Sequence, residues 1–128
     1  MRGIDDIVQL WIVKADNDIR TIEHEFDAKD TVTDTVCYHS QQAVEKYLKL
    51  YLVHNNVEPP KSHNIFMLIK ECERIDPSFS ELENTAYLSD YAVELRYPDN
   101  FHLPDIDEAK EAFVDALRVK KFVLPKIQ

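Results

Sequence analysis

The chain has 128 residues, of which 45% are hydrophobic and 30% charged, with a formal net charge of -9. That length and balance suit one globular domain, residues 1–128, able to bury roughly two-thirds of its unfolded surface, and they exclude a disordered chain. So acidic a surface repels nucleic acid at long range, which excludes a sequence-blind, high-affinity DNA binder; a local basic site or a basic protein partner remains open.

Glycine occurs once, at Gly3. Hairpins, bulges and phosphate-cradling loops need glycine, so its scarcity points to an all-α fold and removes every glycine-rich nucleotide loop. No apolar run reaches the ~20 residues that cross a bilayer. The opening Met1-Arg2-Gly3-Ile4-Asp5-Asp6 lacks the apolar core of a secretion signal, so a cytoplasmic location without a membrane is expected. Cys37 and Cys72 lie far apart in apolar helical patterns, and both are expected as buried free thiols.

Apolar residues recur at helical spacing in five stretches. The first runs from about Asp5 to Asp27, with Ile4, Ile7, Trp11, Ala15, Ile19, Ile22 and Phe26 on one stripe. The second begins near Thr31, an N-cap followed by Asp34 in the first turn, and carries Val36, Ser40, Ala43, Val44, Tyr47, Leu50 and Tyr51. Asn55-Asn56 and then Pro59-Pro60 end it. The third, about Ser62 to Arg74, turns Ile65, Leu68, Ile69 and Cys72 inward.

Asp76 as N-cap and Pro77 at the first helical position open the fourth helix. Its expected row is Phe79, Leu82, Ala86, Ser89 and Val93, widened by Leu88, Tyr91, Ala92 and Leu95. Pro98 ends it near Arg96. Asp105, with Glu108 three residues on, starts the fifth helix, whose stripe is Ile106, Ala109, Phe113, Ala116, Leu117, Lys120 and Leu124. Short links between long amphipathic helices predict an up-and-down antiparallel bundle of about five helices.

Several chemistries are missing. There is no Glu-x-x-His for a di-iron site, no His-Glu-x-x-His for zinc, no GxSxG elbow and no P-loop. No residue cluster demands a cofactor or metal.

Two features carry chemistry. His39, Gln42, Lys46 and Lys49 are spaced three, four and three apart on the second helix, so they share one face. That face reads either as a solvated surface or as a strip for phosphate or RNA. The segment Arg96-Tyr97-Pro98-Asp99-Asn100-Phe101-His102 places an arginine at a helix end and a histidine in the loop beyond. Arginine offers a fixed fork of donors to a phosphate. Imidazole titrates near neutral pH and can take and return a proton. The pair suits metal-free RNA cleavage, with Arg96 and His102 catalytic; the alternative is a capping or loop-anchoring pair. His63, after Ser62, either belongs to the cap of the third helix or contacts a ligand in the same cleft. His24 and His54 read as surface residues.

The run Cys37-Tyr38-His39-Ser40-Gln41-Gln42-Ala43-Val44-Glu45-Lys46-Tyr47-Leu48-Lys49 resembles the second-helix signature of HEPN domains. Trp11, Ala15 and Asp16 on the first helix, His63 before the third, and Ala92-Val93-Glu94-Leu95-Arg96-Tyr97-Pro98 extend the likeness over about residues 5 to 124. The resemblance implies a helical bundle that dimerises and often pairs with a minimal nucleotidyltransferase in toxin–antitoxin systems. Ribonuclease members of the family carry Arg, four to six residues, then His, which Arg96 and His102 match with five between. In such members the motifs of two protomers meet at the dimer interface. Other members bind nucleotides or serve as non-catalytic partners. The chain departs from the ribonuclease pattern at Tyr97-Pro98, and Asp99 sets a negative charge near the expected phosphate.

Two readings follow. One is a metal-independent endoribonuclease toxin acting as a homodimer on RNA. The other is a nucleotide-binding or accessory subunit of a minimal nucleotidyltransferase. Both place a dimer contact near the end of the fourth helix, where exposed Tyr91, Tyr97 or Phe101 would mark it.

Overall fold

The computed structural model describes residues 3–92 and 102–127. In chain order they form α1 (Ile4–Asp27), α2 (Thr33–His54), α3 (Ile65–Glu73), a 3₁₀ helix η1 (Pro77–Tyr91) and α4 (Ile106–Ile127). Among the described residues there is no strand, and the fold is all-α as the composition requires.

α2 is the central element and touches each of the other four. The sequence explains why. Val36, Cys37, Ala43, Val44, Tyr47, Leu48, Leu50, Tyr51 and Leu52 are all buried, and they cover most of the helix circumference. A helix apolar nearly all round has to sit inside. α1 packs antiparallel to α2, with Asp16 level with Tyr47 and Asp18 level with Lys46. η1 also runs against α2, since Phe79 stacks near Tyr51 with ring centroids 4.4 Å apart while Ser89 lies beside Ile65. α4 runs in the same direction as α2: Thr33 Oγ1 bonds the Pro104 carbonyl at one end (2.7 Å), and Phe122 meets Phe79 at the other.

Chain ends of the helices are set by local chemistry. Asn56, at φ 62°, stands where many helices place glycine. Its N–H bonds the Val53 carbonyl (3.0 Å) and the Val57 N–H bonds the Leu52 carbonyl (2.9 Å), which is the Schellman pattern. Asn tolerates this left-handed conformation better than other residues with a Cβ, so α2 closes without glycine. The Asp76 carboxylate accepts from the Ser78 N–H (3.0 Å), with Pro77 behind it, as predicted. The Asp105 carboxylate accepts from the Glu108 N–H (2.8 Å) at the start of α4. Two starts differ from the sequence reading. Val32, not Thr31, flanks α2 and makes no side-chain cap. Asn64, not Ser62, caps α3 by accepting from the Met67 N–H at 3.2 Å.

The fourth helix is the main correction. Pro77–Tyr91 is 3₁₀ over 15 residues, where such runs seldom exceed a few. Its buried residues are Phe79, Leu82, Thr85 and Leu88, spaced by three. A 3₁₀ helix has three residues per turn, so that row forms one straight edge, whereas an α-helix would spiral it off the core. The α-spaced row through Ala86 and Ser89 is not the buried one. Thr85 fits on the buried edge because its hydroxyl donates to the Leu82 carbonyl at 2.7 Å.

The stripes of α1 and α4 also shift. Ala15, Ile19 and Ile22 are buried as expected, joined by Val8, but Ile4 and Ile7 are 39% and 37% exposed. On the register fixed by Asp16 and Asp18, those two lie opposite positions past His54, where α2 has already ended. In α4 the buried row is Ala109, Ala112, Ala116, Val119 and Val123, and Phe113, Leu117 and Leu124 flank it half-buried. The small alanines let α4 approach α2 closely, and Ile106 is left 42% exposed.

Candidate site of paired charges and a carboxylate-held histidine

The polar face of α2 does not open to solvent as a row of cations. Asp18 of α1 reaches across to it, with His39 Nδ1 at 2.7 Å from one oxygen and Lys46 Nζ at 2.5 Å from the other. The Asp18 side chain is only 9% exposed. One turn on, Glu45 gathers Lys49 Nζ (2.7 Å), Gln41 Nε2 (2.7 Å) and His63 Nδ1 (3.0 Å). Gln42 Nε2 donates to the Gln41 side-chain oxygen at 2.7 Å, so it joins the same chain of bonds. Burial alone would raise the Glu45 pKa, but the bonds from Lys49, His63 and Gln41 outweigh it and hold the carboxyl below its ordinary value.

His39 and Lys46 therefore share Asp18, while Gln42, Lys49 and His63 belong to a second group around Glu45, and each lysine already has a carboxylate. The two groups also tie separate elements together: Asp18 links α1 to α2, and Glu45 links α2 to His63 in the segment before α3. Asp16 does the same one turn away, accepting from the buried Tyr47 hydroxyl (2.5 Å) while Lys120 of α4 stands 3.2 Å off. Burial first, and the Asp16 carboxylate second, raise the Tyr47 pKa.

The second candidate region is different in kind. His102 is exposed, at 59% of its side chain, and its Nε2 lies 3.0 Å from both oxygens of Glu108. The Tyr91 hydroxyl donates to the same carboxylate. Tyr91 is half-buried against the core, not an exposed dimer aromatic. With a carboxylate at Nε2, the neutral ring carries its proton there and leaves Nδ1 as an acceptor facing away. Behind Tyr91 is the Cys37 thiol, which burial, with Glu108 adding, pushes up to about 11. Arg96, Tyr97 and Phe101 lie outside the described residues. Among the described residues, no three His, Cys, Asp or Glu side chains gather as metal ligands.

This arrangement can orient an imidazole and offer it to an incoming hydroxyl. A family model described as the HEPN domain matches residues 8–127. The chain belongs to the HEPN family. It is also similar over its full length to the crystal structure of an archaeal HEPN homologue, at a TM-score of 0.73 and 23% identity, covering 100% of both chains. That likeness is one of fold. No curated protein matches the chain.

Within this HEPN chain, sequence reasoning missed Asp18, Asp16, Glu108 and Tyr91 as site residues. Asp16 was part of the HEPN-like pattern but carried no role. Glu108 was read only as a helix-start residue. The one available signal for Asp18 was its position four residues beyond Lys14, on the side of α1 that also holds Leu10. Nothing in spacing alone shows which helix that side meets.

Proposed function

We propose that the protein is a HEPN ribonuclease that cleaves RNA without a metal, with His102 as general base. The observation that supports this reading is the pairing of an exposed imidazole with Glu108, itself bonded by Tyr91. In the proposed step, His102 Nδ1 takes the proton of a ribose 2′-hydroxyl. The 2′-oxygen forms a bond to the adjacent phosphorus, the bond from phosphorus to the 5′-oxygen breaks, and the leaving oxygen takes its proton from the imidazolium just formed. Arg96, six positions before His102 in sequence, is assigned to the charge that builds on the phosphate. Glu108 is assigned to fix the ring's orientation and tautomer. The family resemblance adds a homodimer in which two such motifs meet.

The test is cleavage of a mixed RNA pool in EDTA by wild type, His102→Ala and Glu108→Gln. Because His102 is exposed, its removal leaves the fold intact. Cleavage by wild type, none by His102→Ala and reduced cleavage by Glu108→Gln supports the reading. Equal cleavage by wild type and His102→Ala refutes it.

A second reading, a nucleotide-binding or accessory subunit of a minimal nucleotidyltransferase, draws on two observations. The lysines of α2 are already paired, and the net charge of -9 suits a basic protein better than bulk RNA. Its test is co-purification with a nucleotidyltransferase encoded beside the gene. A stable complex combined with no RNA cleavage favours this reading over the first.

A further inference from the structure

Between α1 and α2 lies an open depression of about 380 Å³, lined by Leu10, Trp11, Lys14 and Lys46. Its size falls in the ~300–1,000 Å³ typical of small-ligand sites. Trp11, the only tryptophan of the chain, is half-buried and packs against the core, so its ring is held in place. Leu10 beside it is 46% exposed, and Ile7, one turn earlier on the same flank of α1, is 37% exposed. An apolar wall therefore faces solvent on that side. The two cations differ. The Lys46 ammonium is neutralised by Asp18 at 2.5 Å, whereas Lys14 is exposed and makes no ion pair among the described residues. The depression thus combines a fixed indole, an uncovered leucine and one open positive charge.

We infer that this depression binds a small aromatic monocarboxylate, its ring against Trp11 and Leu10 and its carboxylate on Lys14. A bare anion would leave the indole and Leu10 uncovered, and a neutral apolar molecule would gain nothing from Lys14. The charge of the ligand follows from the count of open cations. One ammonium is free, so one negative charge is matched. A dianion would bring its second charge toward Asp18 with Lys46 already taken, in a chain of net charge -9. The shape follows from the walls. An aromatic ring packs on the indole beyond the area it covers. It also gives up fewer rotors on binding than an alkyl chain of the same size, which matters where the depression is open and contacts are few. The site does not include His102 or Glu108, and the inference stands whether or not the chain cleaves RNA.

The single tryptophan makes the test direct. Emission of the full-length protein is followed while hydrocinnamate, its neutral amide, acetate, octanoate or AMP is added. The expected result is a saturable change with hydrocinnamate that weakens with salt. Acetate gives no saturable change, and octanoate and AMP bind more weakly than hydrocinnamate. Lys14→Gln weakens hydrocinnamate binding roughly two- to fivefold, the loss of one exposed ion pair, and the neutral amide binds wild type with the same deficit. Lys14→Gln has no effect on the amide, because the charge it would meet is absent. Leu10→Asn weakens acid and amide alike. Leu10 and Lys14 are both exposed, so the variants keep the fold, and unchanged melting temperatures check this. The inference is overturned if hydrocinnamate gives no saturable change, if the amide matches the acid, or if Lys14→Gln binds the acid as wild type does. Tighter binding of octanoate would overturn it in favour of an acyl chain, and tighter binding of AMP with the same dependence on Lys14 in favour of a nucleotide.

Discussion

Replacing Glu45 by alanine tests whether the lysines of α2 are internal counterions. The Glu45 side chain is 8% exposed and Lys49 13%. Without the carboxylate, the Lys49 ammonium and the Gln41 amide lose their acceptor in a nearly closed space. Breaking a buried ion pair costs about 3–5 kcal/mol. Lys49 keeps some access to water along its flexible stem, so the lower end, about 3 kcal/mol, applies. His63 adds little, since its side chain is 70% exposed. At about 2.1 cal/mol/K of unfolding entropy per residue, 3 kcal/mol lowers the melting temperature of a chain this long by roughly 11 °C. Glu45→Ala with Lys49→Met removes the stranded charge and recovers much of the loss. The carboxyl pKa lies below its ordinary value of 4.5 in the folded protein. Its contribution is therefore full above pH ~4.5 and lost as the pH falls through the folded value, so the gap between wild type and Glu45→Gln narrows in acid. The assay is thermal and urea unfolding at neutral and acidic pH. A loss below about 0.5 kcal/mol for Glu45→Ala, the size of a typical exposed pair, would refute the reasoning and return Lys49 to the surface as a free cation.

Three further outcomes are expected. Asn56→Ala, forcing a Cβ without a local hydrogen-bonding group into the left-handed region, costs about 1 kcal/mol, while Asn56→Gly is neutral or slightly stabilising; urea midpoints of the two variants check this. Bonds from Lys126 and Ser78 lower the Asp76 pKa from 3.8 to about 2, so its contribution is present above pH ~3.8 and lost as the pH falls toward 2, and Asp76→Asn flattens that part of a stability–pH curve. Burial, assisted by nearby glutamates, raises Cys37 to about 11 and Cys72 to about 12; at pH 8 both thiols resist alkylation in the native protein and react together in denaturant, and fast labelling of either in the native state would show that the core around it opens.

Much of the fold is written in local signals. Asp76-Pro77 and Asp105 with Glu108 mark helix starts, and Asn55-Asn56 marks an end, because a cap is satisfied within a few residues of itself. The near-absence of glycine and the apolar circumference of α2 identify an all-α core with α2 at its centre. The 3₁₀ helix was legible in principle, since Phe79, Leu82, Thr85 and Leu88 repeat every third residue, but Thr85 is polar and Ala86 and Ser89 offer a competing α-helical row. Partners across helices were not legible. His39 and Lys46 meet Asp18 from 21 and 28 positions away, and Lys46, on its own helix, looks the same whether its carboxylate lies on α1 or nowhere. The same holds for His102: its spacing from Arg96 is visible in sequence, whereas Tyr91 and Glu108 join it only once η1 and α4 are packed side by side.

The most direct measurement of the central claim is the chemistry of the ends that the purified protein leaves on RNA in EDTA. Attack by a 2′-hydroxyl activated at His102 predicts 2′,3′-cyclic phosphates and free 5′-hydroxyls from wild type and no new ends from His102→Ala. New 3′-hydroxyl and 5′-phosphate ends, or no cleavage at all, would contradict the account.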